Sequence, residues 1–113
     1  MCKIEIGRVG YYPRGYFPYR CDRNVHSPLR NCFKLDGKTQ ESREESCKLF
    51  SEHFSEKINQ RTSEIYKSVT LLLWKARSGK YLGIYLQCHC YPLFKPCHCE
   101  TIKKHLEEEL KCQ

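Results

Sequence analysis

Residues 88–99 read CHCYPLFKPCHC, two copies of Cys-His-Cys separated by six residues. Packing alone does not explain four thiols and two imidazoles within twelve positions. The four sulfurs belong to Cys88, Cys90, Cys97 and Cys99. Four thiolates are a complete ligand set for tetrahedral Zn²⁺, so no more distant ligand is required. The two prolines between the pairs fit a stiff loop that brings them face to face, and the stretch therefore predicts a structural zinc site.

The cysteine content leaves alternatives to zinc open. The chain has 113 residues and nine cysteines, so complete pairing in a secreted form would leave one thiol over. Within the cluster, the alternatives are two disulfides or a redox pair at Cys97 and Cys99. A Cys-x-Cys disulfide closes a small, strained ring, so the disulfide alternative requires cross-pairing between the two copies. Zinc is the interpretation that we favour.

The N-terminus bears on the compartment. It contains no apolar run long enough for a secretory signal, and no stretch of the chain approaches the ~20 apolar residues of a membrane span. With Met1 as the native start, we expect an intracellular protein, in the nucleus or cytoplasm, without membrane contact. Clustered cysteines in a reducing compartment bind metal more often than they form disulfides. If Met1 had been added to a mature secreted domain, the chain would instead be a secreted disulfide-rich factor.

The first part of the chain, residues 1–62, predicts a strand, a loop region and a helix. Apolar and charged side chains alternate over Cys2–Arg8, which is the period of a half-buried strand. Leu29–Leu35 is a candidate second strand, closed by an Asp-Gly turn. A capping box at Ser42 predicts a helix from there to about Arg61. The apolar stripe of this helix consists of Cys47, Phe50, Phe54 and Ile58.

The second part, residues 66–112, predicts a β-hairpin and a helix around the cysteines. Ser68–Lys75 and Lys80–Cys88 are expected to pair through a turn at Arg77–Lys80. Both faces of the first of these strands are apolar, which predicts a central position in the sheet. One face would carry Leu72 and Trp74, and the other Val69, Leu71 and Leu73. Glu100–Cys112 has apolar residues four apart and predicts a helix.

The predicted fold class is therefore α+β, in one domain spanning residues 1–113. It combines a small antiparallel sheet of about three or four strands with one packed helix. A zinc-stabilised β-hairpin–helix unit forms its C-terminal part.

The order of these C-terminal features resembles the SWIM-type zinc finger. In that family a β-hairpin leads into Cys-x-Cys, followed by a short loop, often a proline, then Cys-x-His and an apolar helix. The matching residues here are Cys88, Cys90, Pro96, Cys97 and Cys99, the last standing where the family has His. The resemblance covers roughly residues 66–112. It implies zinc binding and contact with DNA or protein.

A second group of potential ligands lies outside the motif. It comprises Cys21, His26 and Cys32, with Cys2 or Cys47, and both Cys and His suit zinc. Their spacing matches no zinc pattern, however. Partly buried thiols that pack as small hydrophobic groups are therefore the preferred interpretation.

The sequence gives little support for catalysis. There is no pair of acidic residues at one predicted site, no glycine-rich phosphate loop and no plausible catalytic triad. A four-thiolate zinc site also has no open coordination position. A Cys21 nucleophile beside His26 is the one conceivable alternative. His89 and His98 should face away from the metal, because alternate residues of an extended segment point in opposite directions, although either could replace a neighbouring cysteine as ligand. We expect no enzymatic activity and no small-molecule substrate.

Segment 11–20 is the candidate partner surface. It interleaves aromatic residues with two arginines, and its two prolines, Gly15 and the preceding Gly10 argue against regular structure. The candidate contact residues are Arg14, Tyr16, Phe17, Tyr19 and Arg20, with Arg77 and Lys80 at the predicted turn. Aromatic platforms with cations bind single-stranded nucleic acid, and the net charge of +7 permits this. The same segment could equally contact a protein or fold its tyrosines onto the sheet. The predicted function is a zinc-binding module that binds nucleic acid. The alternative is a protein-binding adaptor or viral accessory protein that docks on an acidic protein surface.

Overall fold

The computed structural model describes residues 2–22, 27–31, 40–88 and 97–111. The strands are β1 (Lys3–Arg8), β2 (Tyr16–Arg20) and β3 (Gly83–Cys88). The helices are α1 (Gln40–Lys57), α2 (Glu64–Arg77) and α3 (Cys99–Lys111). The mixed α+β class is confirmed, and a helix follows the last strand as expected. None of these helices, in the part of the chain that the structure describes, is long and apolar enough to cross a membrane.

The strands form a three-stranded sheet in the order β1-β3-β2, and both pairings are parallel. The predicted antiparallel arrangement is therefore wrong. Gly83 of the central strand stands opposite Lys3 of β1 on one side and opposite Tyr16 of β2 on the other. Every residue of β3 except Tyr85 is buried. This is the burial expected of a central strand in a parallel sheet that is covered on both faces.

Residues 9–15 connect the two edge strands across β3. The side-chain amide of Gln87 donates a hydrogen bond to the carbonyl of Tyr11 at 2.7 Å, and the ring of Tyr11 packs edge-on against Tyr85. The connection returns the chain from the carboxyl end of β1 to the amino end of β2, so that both strands run parallel to β3. Gly15 closes the connection with φ of 88°, a left-handed value that glycine adopts without steric cost.

The expectation that segment 11–20 is irregular is correct only for its first half, because Tyr16–Arg20 forms β2. Pro18 lies within this strand. Proline has no backbone N–H to donate to a neighbouring strand. An edge strand tolerates it, because one side of such a strand has no partner strand.

The predicted β-hairpin is wrong, because residues 64–77 form helix α2. Ser63 caps this helix: its hydroxyl accepts a hydrogen bond from the N–H of Tyr66 at 3.1 Å. The helix ends at Ser78, and Gly79 follows with φ of 78°, the conformation that commonly terminates helices. The second predicted strand is confirmed as β3, but its neighbours are β1 and β2.

The helices cover the sheet face that carries Ile84 and Leu86, both fully buried. The stripe predicted on α1 is confirmed for Phe50 and Phe54, which are buried, whereas Cys47 and Ile58 are half-buried. The helix already includes Gln40, so the capping box predicted at Ser42 is wrong. On α3, the predicted apolar positions Ile102 and Leu106 are buried, and Leu110 packs against the core.

The candidate strand Leu29–Leu35 is described only at its beginning. Residues 28–30 form a turn and a bend, with Leu29 fully buried, so the strand prediction is wrong there. Residues 32–39, including the predicted Asp-Gly turn, lie outside the described residues.

Candidate metal centre

Four cysteines meet at the carboxyl edge of the sheet. Parallel strands end at the same edge: β3 ends at Cys88, and Cys21 immediately follows β2. The N–H of Cys21 donates to the carbonyl of Gln87 at 2.8 Å, which places Cys21 beside the end of β3. The described chain resumes at Cys97, and α3 begins at Cys99. All four cysteines are buried, with at most 2% of any of them exposed.

Three of these residues form the centre of the cluster. The sulfur atoms of Cys88, Cys97 and Cys99 all lie within 4.8 Å of one another. The Cys88 and Cys97 sulfurs are 3.2 Å apart, longer than the ~2.05 Å of a disulfide bond. Sulfurs that bind one Zn²⁺ at ~2.3 Å in a tetrahedron are separated by about 3.8 Å. These three thiols could therefore hold a metal ion after small shifts. Cys90, the remaining ligand predicted from the sequence, lies outside the described residues.

Cys21 adjoins this group of three. The Cys21 side chain is among the groups that raise the pKa of the Cys99 thiol. The Cys21 thiol also faces the carbonyl oxygen of Tyr19 at 3.8 Å, a weak contact. Cys21 is not among the sulfurs that lie within 4.8 Å of one another, so it stands at the border of the cluster.

His98 holds Cys21 next to the start of α3. Its Nε2 lies 2.8 Å from the carbonyl oxygen of Cys21. Because a carbonyl oxygen only accepts, Nε2 carries the proton and donates it. The ring of His98 is buried and packs edge-on against Phe50, with centroids 5.0 Å apart. These contacts fit a residue that orients the cluster. The alternative that His98 replaces a cysteine as ligand would use Nδ1, the other ring nitrogen, and stays a prediction. His89 lies outside the described residues.

The electrostatics of the cluster favour either protons or a cation. Hydrogen bonds with Cys21, Cys88 and Cys97, together with burial, raise the pKa of the Cys99 thiol well above its usual value. Buried thiolates packed together would repel one another, so without a cation the Cys99 thiol keeps its proton. A coordinated divalent metal reverses this balance and deprotonates its thiol ligands. The amino end of α3 adds a partial positive charge where Cys97 and Cys99 lie.

The second group of ligands suggested by the sequence does not form a site of its own among the described residues. Cys21 joins the cluster at the carboxyl edge, whereas Cys2 precedes β1 at the opposite, amino edge. Cys47 is half-buried on α1, and burial and the nearby Cys97 and Glu100 raise the pKa of its thiol to about 11. His26 and Cys32 lie outside the described residues. None of the described cysteines forms a disulfide.

The structure divides the predicted partner residues between the two edges of the sheet. Arg14 and Lys80 are exposed at the amino edge, where the N–H of Leu82 donates to the carbonyl of Gly15 at 2.8 Å. Arg77 is also exposed, at the end of α2, and its guanidinium contacts the carbonyl of Glu109 at 3.4 Å.

Arg20 lies at the carboxyl end of β2, and its side chain is hydrogen-bonded within the protein. Its guanidinium makes two hydrogen bonds, of 2.9 and 2.7 Å, to the carboxylate of Asp22, which is buried. These bonds raise the pKa of Arg20 further. Tyr16, Phe17 and Tyr19 are all half-buried, and Phe17 and Tyr19 pack against the core. The seven predicted residues therefore lie along or just before β2 and near the end of α2, and the core partly covers Phe17 and Tyr19.

Sequence reasoning missed a cluster of aromatic residues around Lys75. The ammonium of Lys75 lies 5.1 Å from the ring centroid of Phe17, 5.5 Å from that of Trp74 and 5.8 Å from that of Tyr81. Trp74 is 62% exposed, so much of its ring faces solvent. We refer to these four residues as the Lys75 cluster. The signal was present in the Trp-Lys pair, but assigning residues 68–75 to a strand placed Trp74 on a covered sheet face.

The fold and the cysteines define a small α+β domain with a candidate thiolate metal centre at the carboxyl edge of a parallel sheet. The family model described as "Domain of unknown function (DUF4326)" matches residues 1–108, and the chain belongs to this family. No curated protein and no solved structure matches the chain. The resemblance to SWIM-type fingers stays a prediction. Its order of strand, cysteines and helix is present, but α2 stands in place of the first hairpin strand.

Proposed function

We propose that this chain is a small binding module in which the cysteine cluster holds a structural Zn²⁺, and that it binds single-stranded nucleic acid. The observation that carries the metal assignment is the convergence of three buried thiols, from Cys88, Cys97 and Cys99, within 4.8 Å. Thiolates are soft ligands that favour Zn²⁺ over Mg²⁺ or Ca²⁺. A reducing, intracellular compartment fits cysteines that form no disulfide, and it belongs to the proposal.

The metal has a structural role in this proposal. A fourth thiolate would close the coordination sphere, and the sequence supplies further cysteines for that position. A closed tetrahedral site leaves no position for a reactive water, so the ion stabilises the fold without activating a substrate. It would join the end of β3 to the start of α3, two elements that meet at this edge.

Metal analysis of the purified protein tests this half of the proposal. We expect about one Zn²⁺ per chain, since one group of thiols can converge on one ion. Chelation should unfold the C-terminal part, because metal binding and folding are coupled. A metal-free preparation with its cysteines in disulfides would refute the assignment.

The Lys75 cluster supports the binding half of the proposal. An exposed indole beside an ammonium group can stack on a base while the cation neutralises a phosphate. Trp74 is 62% exposed and Lys75 lies over its ring at 5.5 Å. The net charge of +7 favours a polyanionic partner. Arg14 and Lys80, exposed at the amino edge, are further candidate phosphate contacts.

Titration of a labelled oligo-deoxythymidine at several salt concentrations tests nucleic-acid binding. Trp74→Ala should weaken binding by about 5–100-fold, because stacking on one base contributes roughly 1–3 kcal/mol. Lys75→Ala should reduce the slope of log affinity against log salt by about 0.7, the value for one lost contact to single-stranded phosphate. Lys48→Ala, an exposed lysine on α1, is the matched control and should leave both quantities nearly unchanged.

Two results would reject nucleic acid as the partner. One is the absence of binding at low salt. The other is binding that Trp74→Ala and Lys75→Ala leave unaltered, since the affinity would then come from nonspecific charge. In either case the adaptor alternative, with a protein as partner, would take its place.

A further inference from the structure

We propose that Cys21 is the fourth ligand, so that Zn²⁺ is held by Cys21, Cys88, Cys97 and Cys99. The inference rests on the proposed zinc function and completes the ligand set of that site. It replaces Cys90, which the sequence motif alone suggests. The metal would then join three elements, because Cys21 follows β2, Cys88 ends β3, and Cys97 and Cys99 lie at the start of α3.

The backbone of Cys21 is fixed beside the other ligands from two sides. Its N–H donates to the carbonyl of Gln87 in β3 at 2.8 Å. Its carbonyl accepts a hydrogen bond from Nε2 of His98 at 2.8 Å, and His98 lies between Cys97 and Cys99. One bond therefore ties residue 21 to the strand that ends at Cys88, and the other ties it to the segment that carries the other two thiols. Because its backbone is already fixed, Cys21 would lose little further conformational freedom when its sulfur coordinates an ion.

The side chain of Cys21 is also suitably placed. It is fully buried, and it is among the groups that raise the pKa of the Cys99 thiol. Its sulfur also makes the weak contact to the carbonyl of Tyr19, at 3.8 Å. Cys21 lies outside the group of sulfurs within 4.8 Å, so its sulfur must approach the other three when the ion binds. The approach gives up only that weak contact, whereas a thiolate–zinc bond is gained.

The chemistry of the cluster explains why a fourth buried thiol stands there. Zn²⁺ displaces the four thiol protons to solvent, and the resulting complex carries two net negative charges. The amino end of α3 offsets part of that charge. The four ligands then come from three separate segments, and the metal anchors β2, an edge strand whose Pro18 donates no hydrogen bond. Without Cys21, the metal would connect only β3 and α3.

Cobalt substitution of the whole protein distinguishes Cys21 from Cys90. Co²⁺ in place of Zn²⁺ gives a thiolate-to-metal charge-transfer absorption whose intensity rises with the number of bound thiolates. The variants are Cys21→Ser and Cys90→Ser, with Cys47→Ser as the matched control. Cys47 lies near Cys97 but belongs to none of the proposed ligands. Competition with a chelator measures the affinity of each variant for Zn²⁺.

We expect Cys90→Ser and Cys47→Ser to keep the wild-type charge-transfer intensity. Cys21→Ser should lose about one quarter of it, one of four ligands for a tetrahedral ion. Its affinity should fall by about 100-fold or more, since even residues that only hydrogen-bond to metal ligands contribute roughly 10–100-fold.

The measurement remains decisive if Cys21→Ser does not fold. In that case, full intensity in a variant with Cys2, Cys32, Cys47, Cys90 and Cys112 all replaced by Ser supports the inference, because Cys21 is then the one thiol left besides those of Cys88, Cys97 and Cys99. A loss of intensity in Cys90→Ser, with full intensity in Cys21→Ser, overturns it. If the wild-type protein binds neither Co²⁺ nor Zn²⁺, the proposed function itself fails, which is a different outcome from a wrong fourth ligand.

Discussion

Neighbouring leucines on α2 give a direct test of the fold, because the helix assigns them opposite environments. Leu72 is fully buried, whereas Leu71 is 43% exposed. Truncating a fully buried leucine to alanine removes its packing and leaves a cavity, at a cost of about 2–5 kcal/mol. Leu72 is among the largest fully buried side chains of the described residues, so we expect Leu72→Ala to cost about 3 kcal/mol. Leu71→Ala should cost well under about 1 kcal/mol, as surface substitutions usually do.

Urea unfolding followed by far-ultraviolet circular dichroism measures both values, with the zinc concentration held fixed because bound metal stabilises the folded state. A strand in this position would instead make Leu71 and Leu72 comparably important, one on each covered face of the sheet. Equal losses for the two variants, or a larger loss for Leu71→Ala, would refute the helix and the packing derived from it. Leu71→Ala serves as the matched control, since it makes the same chemical change one residue away.

Three further predictions follow from the sheet and the cluster. Gly83→Ala should destabilise the protein by about 1–3 kcal/mol, the usual cost of overpacking, because the added Cβ would meet the backbone carbonyl of Lys3 and the ring of Tyr16. Urea unfolding measures this loss of stability, and a change near zero would contradict the packing around Gly83. Arg20→Ala should lower the midpoint of thermal unfolding more than Arg14→Ala, because Arg20 pairs with the buried carboxylate of Asp22. Equal midpoints for the two variants would show that this ion pair does not contribute to thermal stability. Chelation should lower that midpoint reversibly, and restored Zn²⁺ should recover it; a midpoint insensitive to both would speak against a structural metal.

Local sequence patterns predicted β1, α1, β3 and α3 because each carries a clear period. The alternation in Cys2–Arg8 predicts a strand, and the four-residue spacing of Ile102, Leu106 and Leu110 predicts a helix. Both signals come from the element itself. They therefore predict the element correctly, however the elements pack against one another.

Helix α2 was missed because a short apolar run suits a strand and a buried helix equally well. The run Val69–Trp74 looks like a strand when it is considered alone. The buried positions of the whole helix are Ile65, Ser68, Val69, Leu72 and Ala76, which follow a helical spacing. Ser63 was the available start signal, and Ser78-Gly79 was the end of the helix rather than a hairpin turn. The wrong antiparallel prediction has the same origin, because a strand at residues 68–75 would pair with β3 through a hairpin, whereas helix α2 leads into a β3 that pairs parallel with β1 and β2.

The candidate site was predictable only in part, for a different reason. Cys88, Cys97 and Cys99 are close in sequence, so their spacing alone indicates a metal site. Cys21 lies 67 positions before Cys88, and its spacing to other cysteines matches no zinc pattern. Only the parallel register, in which Arg20 stands opposite Gln87, brings residue 21 to the same edge. The sequence showed the thiol, but the sheet topology determines its neighbours.

The position of the cluster gives the parallel sheet a mechanical role in metal binding. Because all three strands end at one edge, a metal held in the proposed site would act on β2 and β3 together, through Cys21 and Cys88. His98 adds a connection from α3 to the backbone of Cys21 that does not depend on the metal. These contacts would hold the backbone of Cys21 in place while the ion binds, and its sulfur would move toward the other three. Ligands placed in this way lose less conformational entropy on binding than ligands gathered from a flexible loop, so in the proposed site the sheet edge, as well as the spacing within the motif, would contribute to zinc affinity.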